Sequence, residues 1–172
     1  MLCNRLTIRR STDADAAAIA IAVTNAFGRP QEAELALSLI DAPDRTISLV
    51  ADCNGRIVGH VLLTEIGAPA RAVALAPLAV EPEFREMQIG VALVREALAQ
   101  ASGAGYEAAF VLGRNAYYER FGFDSRLADR FDVAWQGAHF MALELAPGAL
   151  AGKSGTLVYP QAFFGGDAAT GK

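Results

Sequence analysis

The stretch LAPLAVEPEFREMQIGVALV at residues 75–94 decides the fold of this chain. It begins as an apolar strand that ends at Val80, and an amphipathic helix opens near Ile89. A loop that feeds a helix leaves several backbone N–H groups without helical partners, and the helix dipole favours an anion there. Arg85 adds a positive charge, and Gly90 lets the backbone approach a ligand closely. The stretch therefore predicts an anion-binding junction, with an ordinary turn carrying a solvated arginine as the alternative.

The segments that follow this junction complete a βαβ unit. The helix VALVREALAQA (91–101) has one apolar face, and EAAFVLG (107–113) is a buried strand. Strand, helix and strand in this order predict two parallel strands joined by a right-handed crossover. Three further elements are expected downstream: a short helix at 115–121 closed by Gly122, and strands at 139–145 and 155–164.

The segments before the junction predict two helices and a meander of strands. Asn54-Gly55 is a strong hairpin signal between two strands. Pro77 has no N–H group, so a bulge or an unpaired point is expected near Pro77 and Leu78. The predicted elements are a strand from Leu6 to Arg10, helices at 14–27 and 31–40, and strands at 45–53, 56–66 and 71–80.

Composition excludes several classes of protein. The chain has 172 residues, of which 53% are hydrophobic and 20% charged, which is too apolar for a disordered chain. The net charge is −4 and no basic stripe argues for nucleic acid. No apolar run approaches the roughly 18 residues of a membrane helix, and the first residues lack the apolar core of a signal peptide. We expect a soluble, cytoplasmic protein with one domain at 1–164 and a flexible tail at 165–172.

The cysteines and histidines give no metal site. Cys3 and Cys53 could form at most one bridge and fit no zinc spacing, and reduced thiols are the expected state in a cytoplasmic protein. His60 and His139 both fall in predicted strands without a carboxylate or cysteine partner at metal spacing. We therefore interpret both as strand histidines with satisfied hydrogen bonds.

Two motifs at the right spacing resemble the GNAT family of N-acetyltransferases. In the first, Leu78, Val80, Pro82, Arg85 and Gly90 match the family's strand, loop and helix. In the second, VLGRNAYYERFGF (111–123) is similar to the family's fifth strand and its short helix. The resemblance covers roughly residues 5 to 164 and is closest to a bacterial branch of small acetyltransferases. It implies an α/β (α+β) fold, with a mixed, mostly antiparallel, splayed sheet flanked by helices and a central βαβ unit.

The resemblance also implies acetyl-CoA as the co-substrate, without a metal. The pyrophosphate would lie on the loop amides, and the pantetheine arm would hydrogen-bond to the strand edge near Leu78 to Val80 like an added strand. The residues implied in coenzyme binding are Leu78, Ala79, Val80, Arg85, Glu86, Met87, Gln88, Ile89, Gly90, Val91 and Asn115.

The implied reaction is direct attack of a neutral amine on the acetyl thioester. Tyr118 stands where the family's tyrosine protonates the leaving thiolate, with an expected pKa near 10, and Tyr117 would pack against Phe121. Without the resemblance, both tyrosines read as core aromatics. Many relatives carry a glutamate base on the fourth strand, but RAVALAPLAV (71–80) has no carboxylate. A water chain or Glu65 is the expected substitute.

The loop departs from the family pattern, which leaves alternatives open. The family usually has glycine where this chain has Glu86 and Gln88, and the usual extra basic residue is missing. One alternative is therefore a catalytically weakened module that binds coenzyme A or a partner. Another is a protein that chiefly dimerises through the strand at 155–164. For the enzyme, the expected partners are a small-molecule or peptide amine acceptor and a possible second copy of the chain, with no nucleic acid and no membrane.

Overall fold

The computed structural model describes residues 3–42 and 45–165. These residues divide into two compact units. Unit 1 comprises the chain up to residue 63 together with 76–97, and unit 2 comprises 64–75 together with the chain from residue 98 onward. The single domain predicted over 1–164 stays a prediction. Of the predicted tail at 165–172, residues 166–172 lie outside the described residues.

Unit 1 contains the first three strands and the helices between them. Its elements are β1 (Leu6–Arg10), α1 (Ala16–Phe27), α2 (Gln31–Ile40), β2 (Thr46–Cys53), most of β3 (Arg56–Ile66), the second half of β4 (Ala72–Val80) and the first part of α3 (Ile89–Gly103). Short 3-10 turns at Asp13–Asp15 and Pro82–Phe84 precede α1 and α3.

Unit 2 contains the remaining parts of β3, β4 and α3, followed by short elements. These are β5 (Ala108–Leu112), α4 (Asn115–Tyr118), a 3-10 turn (Glu119–Phe121), α5 (Ser125–Ala128), β6 (Phe131–Asp132), β7 (Phe140–Glu144), β8 (Gly155–Thr156) and a last 3-10 turn (Gln161–Phe164).

The principal sheet has the strand order β1-β2-β3-β4-β5-β7, and β6 pairs with β8. β1 and β2 are antiparallel, as are β5 and β7, whereas β4 and β5 are parallel. Asn54 and Gly55 have φ values of 55° and 90°, as the predicted hairpin turn requires. The mixed, mostly antiparallel α/β fold with a central βαβ unit is thus confirmed. The register of β4 with β5 runs from Ala72 to Leu75 and ends before Pro77, as expected for an unpaired point.

Each unit has its own apolar core. In unit 1, Ile19 and Val23 of α1 pack in one cluster with Val50, Ile57 and Ala79 of the strands. This stripe on α1 recurs at the spacing of one helix face. In unit 2, Phe110 stacks on Phe140 with ring centroids 5.6 Å apart and meets Phe131 edge-on at 5.4 Å. The three rings are buried, so they anchor β5, β6 and β7.

Three expectations are wrong. The strand predicted at 155–164 shrinks to the two residues of β8, because Pro160 cannot donate a ladder hydrogen bond and a 3-10 turn follows it. The cysteines are not reduced, since Cys3 and Cys53 form a disulfide with Cα atoms 5.6 Å apart. His139 lies in the turn before β7 rather than in a strand.

Within the described residues, no helix is long and apolar enough to span a membrane.

Candidate active site

The end of β4 extends beyond its register with β5 and is closely packed against β3. Leu78 and Val80 are half-buried, whereas Ala79 between them is buried, as alternation along a strand requires. A Cβ on Gly59 of β3 would lie 3.1 Å from the Ala79 carbonyl oxygen, so glycine permits this close approach. Unit 1 therefore holds the predicted pantetheine residues on a fixed strand.

The loop after β4 has two residues in the left-handed backbone region. Glu86 has φ 71° and Gln88 has φ 61°, and both side chains are exposed. These are the positions where the resemblance expects glycine, and a residue with a Cβ is strained in this region by about 1–2 kcal/mol. The loop backbone therefore has the conformation that glycine favours, although neither of these two positions carries a glycine. Both side chains are exposed to solvent, so the Glu86 charge is screened.

The loop is fixed where it joins α3. Ile89 is 2% exposed and anchors the start of the helix, while Met87, Gly90 and Val91 are partly buried. The amide of Ala92 donates to the Gln88 carbonyl at 3.1 Å, which closes the first helical turn. The N–H groups of that turn have no helical acceptor, so they can bind an anion.

The Arg85 side chain is not the free loop cation that the sequence predicts. Its Nη2 donates to the carbonyl oxygen of Ala26 at 2.8 Å. Ala26 lies in the last turn of α1, where a cation complements the negative end of the helix dipole. In this structure Arg85 ties the loop to α1, and anion binding by the loop backbone stays a prediction.

In unit 2, Tyr118 lies at the end of α4, and its ring covers Gly113. A Cβ on Gly113 would lie 2.5 Å from Cε2 of Tyr118, so this packing requires glycine. The ring also meets Phe123 edge-on at 5.9 Å. Burial raises the pKa of Tyr118, the neighbouring Tyr117 raises it further, and Arg114 opposes the shift. The expected ordinary pKa is therefore wrong, and the phenol stays protonated over a wider pH range.

Tyr117 has different surroundings from those of Tyr118. Its ring lies 5.7 Å from Phe121, so the predicted i,i+4 pair is confirmed. The guanidinium carbon of Arg120 lies over the ring at 4.6 Å. Tyr117 is thus held between an aromatic ring and a cation.

Asn115 is engaged by the segment before β7. Its Nδ2 donates to the Ala138 carbonyl at 2.8 Å, and its Oδ1 accepts from Nδ1 of His139 at 2.7 Å. The amide of Gly113 donates to the His139 carbonyl at 3.1 Å. An amide oxygen can only accept, so Nδ1 of His139 is the donor in its bond with Asn115. Sequence reasoning missed this pair because the two residues are 24 positions apart.

Glu65, the carboxylate expected as a substitute base, is already hydrogen-bonded, and so is the strand histidine His60. Glu65, at the end of β3, accepts from the Tyr106 hydroxyl at 2.8 Å. His60 is buried, and its Nε2 lies 2.9 Å from Oγ of Ser48. Burial lowers the pKa of His60 to about 4, and its Nδ1 has no hydrogen-bond partner among the described residues. His60 therefore lies in a strand as predicted, but only one of its two ring nitrogens has a hydrogen-bond partner among the described residues.

A second residue missed by sequence reasoning is Glu81, directly after β4. It is 5% exposed and accepts from Nδ2 of Asn25 at 2.8 Å. The available signal was a carboxylate at the end of an apolar strand, followed by Pro82. Asn25 lies 56 positions away, so the sequence alone does not join the two.

Comparisons to known proteins show what the sequence and the fold of this chain are similar to. The acetyltransferase (GNAT) family model matches residues 16–123. The uncharacterized N-acetyltransferase YjhQ of Escherichia coli K12 is 35% identical over 138 residues, which are 76% of each chain. The crystal structure of the GNAT family N-acetyltransferase YhbS of Escherichia coli in complex with CoA is similar with a TM-score of 0.86 and 31% identity, covering 93% of this chain and 92% of that one.

A GNAT family acetyltransferase from Brucella melitensis, solved in complex with acetyl-CoA, is similar with a TM-score of 0.78 and 31% identity. That match covers 92% of this chain and 98% of the other. The family match spans more than half of the chain, and the motif residues of β4, the loop and α4 lie inside it. The chain belongs to the acetyltransferase (GNAT) family and is an enzyme of the N-acetyltransferase class.

Proposed function

We propose that this protein transfers the acetyl group of acetyl-CoA to a primary amine by direct attack of the amine on the thioester. The observation that carries the proposal is the junction of β4, its loop and α3, where a strand edge leads into the open amides of a helix N-terminus. Two relatives at 31% identity were solved with CoA and with acetyl-CoA, which supports the choice of co-substrate.

The coenzyme is held chiefly by backbone groups. The amide of Arg85 already donates to the Pro82 carbonyl at 3.3 Å, so within residues 85–90 the amides that follow it take the pyrophosphate. The edge of Leu78 to Val80 pairs with the pantetheine arm as an added strand would. The N–H of Ala79 or Val80 polarises the thioester carbonyl, as an oxyanion-hole donor. Because the proposed ligands are backbone groups, the exposed side chains of Glu86 and Gln88 do not have to contact the coenzyme.

The chain's cysteines do not provide a covalent route. The two cysteines are joined in a disulfide, so neither thiol is available to take the acetyl group. In direct attack the C–N bond forms and the C–S bond breaks, and Tyr118 gives its proton to the leaving sulfur. The raised pKa of Tyr118 keeps this proton in place at neutral pH. Water or Glu65 takes the proton that the amine loses.

A two-substrate kinetic experiment tests the proposal. We expect initial rates for acetyl-CoA and an amine to give intersecting reciprocal plots, because both substrates must be bound together. Protein incubated with acetyl-CoA alone keeps its mass. Parallel plots, or an acetylated protein in the absence of amine, would contradict direct attack.

A catalytically weakened module that binds coenzyme A is the second candidate, and the strained loop at Glu86 and Gln88 favours it. Calorimetric titration with acetyl-CoA and a thiol-release assay with a panel of amines separate the two. Binding without thiol release from any amine would support the module and exclude the enzyme.

A further inference from the structure

Unit 1 contains a cavity that the coenzyme-binding residues do not use. Its volume is about 560 Å³, and it is a shallow depression that is widely open to solvent. Its wall is formed by the end of α1 and by the residues that follow β4: Thr24, Asn25, Gly28, Glu81, Pro82 and Glu83. Because Glu81 follows Val80 directly, the cavity adjoins the strand proposed to hold the thioester.

The Glu81 carboxylate is the principal polar group of this wall. One oxygen accepts from Asn25 at 2.8 Å, and the other lies 3.4 Å from Nη2 of Arg56. Its backbone N–H donates to the Val58 carbonyl at 2.8 Å, which fixes the residue at the strand end. An ionised carboxylate has about four acceptor sites, so further donors can be bound. A nearly buried carboxylate at a cavity wall favours a ligand that carries hydrogen-bond donors and positive charge.

The charges of the wall select the kind of ligand. Glu81 and Glu83 both line the cavity, and the described lining residues include no lysine, arginine or histidine. Arg56 bridges the two carboxylates, at 3.4 Å and 2.8 Å, but its side chain is 55% exposed. A phosphate group would meet two carboxylates here, whereas a cation is attracted. The cavity therefore suits the acceptor better than the coenzyme.

The reacting nitrogen and the bound cation must be different groups. An amine attacks a thioester only when it is neutral, whereas a carboxylate nearby stabilises the protonated amine. A nitrogen bound at Glu81 is therefore held in its unreactive form. A second nitrogen on the same molecule would remain available to attack the thioester.

We propose that this cavity binds the acceptor through a cationic group, with Glu81 and Asn25 as the specificity-determining residues. The acceptor class is an amine that carries a second positive charge, such as a diamine or a lysine-like side chain beside another cation. This inference rests on the proposed acetyl transfer and adds the class of its substrate.

The experiment compares a diamine with a monoamine of similar length. Putrescine and cadaverine are titrated into the protein by calorimetry without acetyl-CoA, beside butylamine. We expect both diamines to bind at least about 10-fold more tightly than butylamine. In Glu81→Gln, which keeps an oxygen for Asn25, diamine affinity should fall by about 10-fold or more, while butylamine is little affected.

Two controls make the comparison specific. Asp13→Asn removes one negative charge from an exposed residue of the same unit and should leave diamine binding unchanged. Glu83→Gln should have a smaller effect than Glu81→Gln, because the Glu83 side chain is 52% exposed and screened by water. Circular dichroism melting of each variant reports whether it is folded, and Asn25→Ala is the second probe if Glu81→Gln fails to fold.

The outcomes separate this inference from the transferase activity. Equal affinity for diamine and monoamine, an unchanged affinity in a folded Glu81→Gln or Asn25→Ala variant, or displacement of bound diamine by coenzyme A would overturn the inference. Thiol release with a monoamine but no diamine preference would leave the transferase in place without this site. Diamine binding without thiol release from any amine would instead contradict the transferase.

Discussion

The rings of Tyr117 and Tyr118 contact each other at a centroid distance of 5.1 Å and both lie near Phe121, but their other neighbours differ. Tyr117 lies between Phe121 and Arg120, whereas Tyr118 covers Gly113 and has a pKa raised by burial. Tyr118→Phe keeps the ring and removes only the proton. We expect its turnover to fall by about 10²-fold while acetyl-CoA affinity is unchanged, as measured by thiol release and calorimetry.

Tyr117→Phe is the matched control for this prediction. It removes the same hydroxyl from the neighbouring ring and keeps the contacts with Phe121 and Arg120. Its turnover should stay close to that of the unmodified protein. Equal losses in both variants, or full activity in Tyr118→Phe, would show that Tyr118 is not the acid.

His60 gives the folded protein a pH dependence of stability. The unfolded chain takes a proton at His60 below its ordinary pKa of 6.5, whereas the folded protein does so only near pH 4. The folded state therefore binds fewer protons between these values, and this residue's contribution to stability falls as the pH drops from 6.5 to 4. The slope from one such group is at most about 1.4 kcal/mol per pH unit.

Denaturant unfolding at a series of pH values measures this slope. His60→Asn keeps a polar group beside Ser48 and does not titrate, so its slope between pH 6.5 and 4 should be flatter. Identical slopes for the two proteins would mean that His60 is accessible to protons in the folded state.

At the scale of elements, the loop between β4 and α3 is where sequence and backbone disagree. Glu86 and Gln88 have positive φ values that glycine adopts without strain. Gln88→Gly should raise the free energy of unfolding by up to about 1 kcal/mol, since relief of strain is partly offset by the greater freedom of the unfolded chain. Denaturant unfolding measures this change.

The same loop gives a prediction for coenzyme affinity. Glu86→Gly removes both the strain and the negative charge, whereas Glu86→Gln removes only the charge. We expect acetyl-CoA to bind more tightly to Glu86→Gly, with a smaller gain for Glu86→Gln because the side chain is exposed. Equal gains would mean that the charge reaches the pyrophosphate, and no gain in either would mean that the Glu86 side chain already points away from it.

Most elements could be predicted from local patterns. The hairpin at Asn54 and Gly55 and the helices α1 and α2 depend on neighbouring residues, so the sequence contains their signals. The segment 155–164 has an apolar pattern typical of a strand, but Pro160 and tertiary contacts reduce it to a two-residue strand and one isolated bridge from Val158 to Gly67. β6 has two residues, which is too short for a periodicity.

For the whole molecule, the disulfide between Cys3 and Cys53 is the largest single covalent constraint. It joins residues 50 positions apart, next to the antiparallel pair of Leu6 and Cys53. Closing a loop of this length removes unfolded-state entropy worth about 4 kcal/mol. We expect dithiothreitol to lower the melting temperature, and a Cys3→Ser/Cys53→Ser variant to melt at the lower temperature with or without reductant. An unchanged melting temperature on reduction would mean that the bond adds no stability.

The side-chain partners that sequence reasoning missed all depend on residues brought together from distant positions. The pairing of β1 with β2 decides the disulfide, and the packing of α1 decides that Asn25 reaches Glu81. The same holds for Arg85, whose partner Ala26 is 59 positions away. The coenzyme loop and Tyr118 stay predictions from motifs, since each is a local pattern, whereas the partners of their side chains required the fold.

The most direct test of acetyl transfer is a product balance. Acetyl-CoA and putrescine are incubated with the protein, and free thiol and N-acetylated amine are measured in the same sample by absorbance and mass spectrometry. Direct transfer predicts equal amounts of the two products, formed together and dependent on the protein. Thiol without acetylated amine would show hydrolysis of the thioester, and neither product with any amine of the panel would contradict the assignment as an active acetyltransferase.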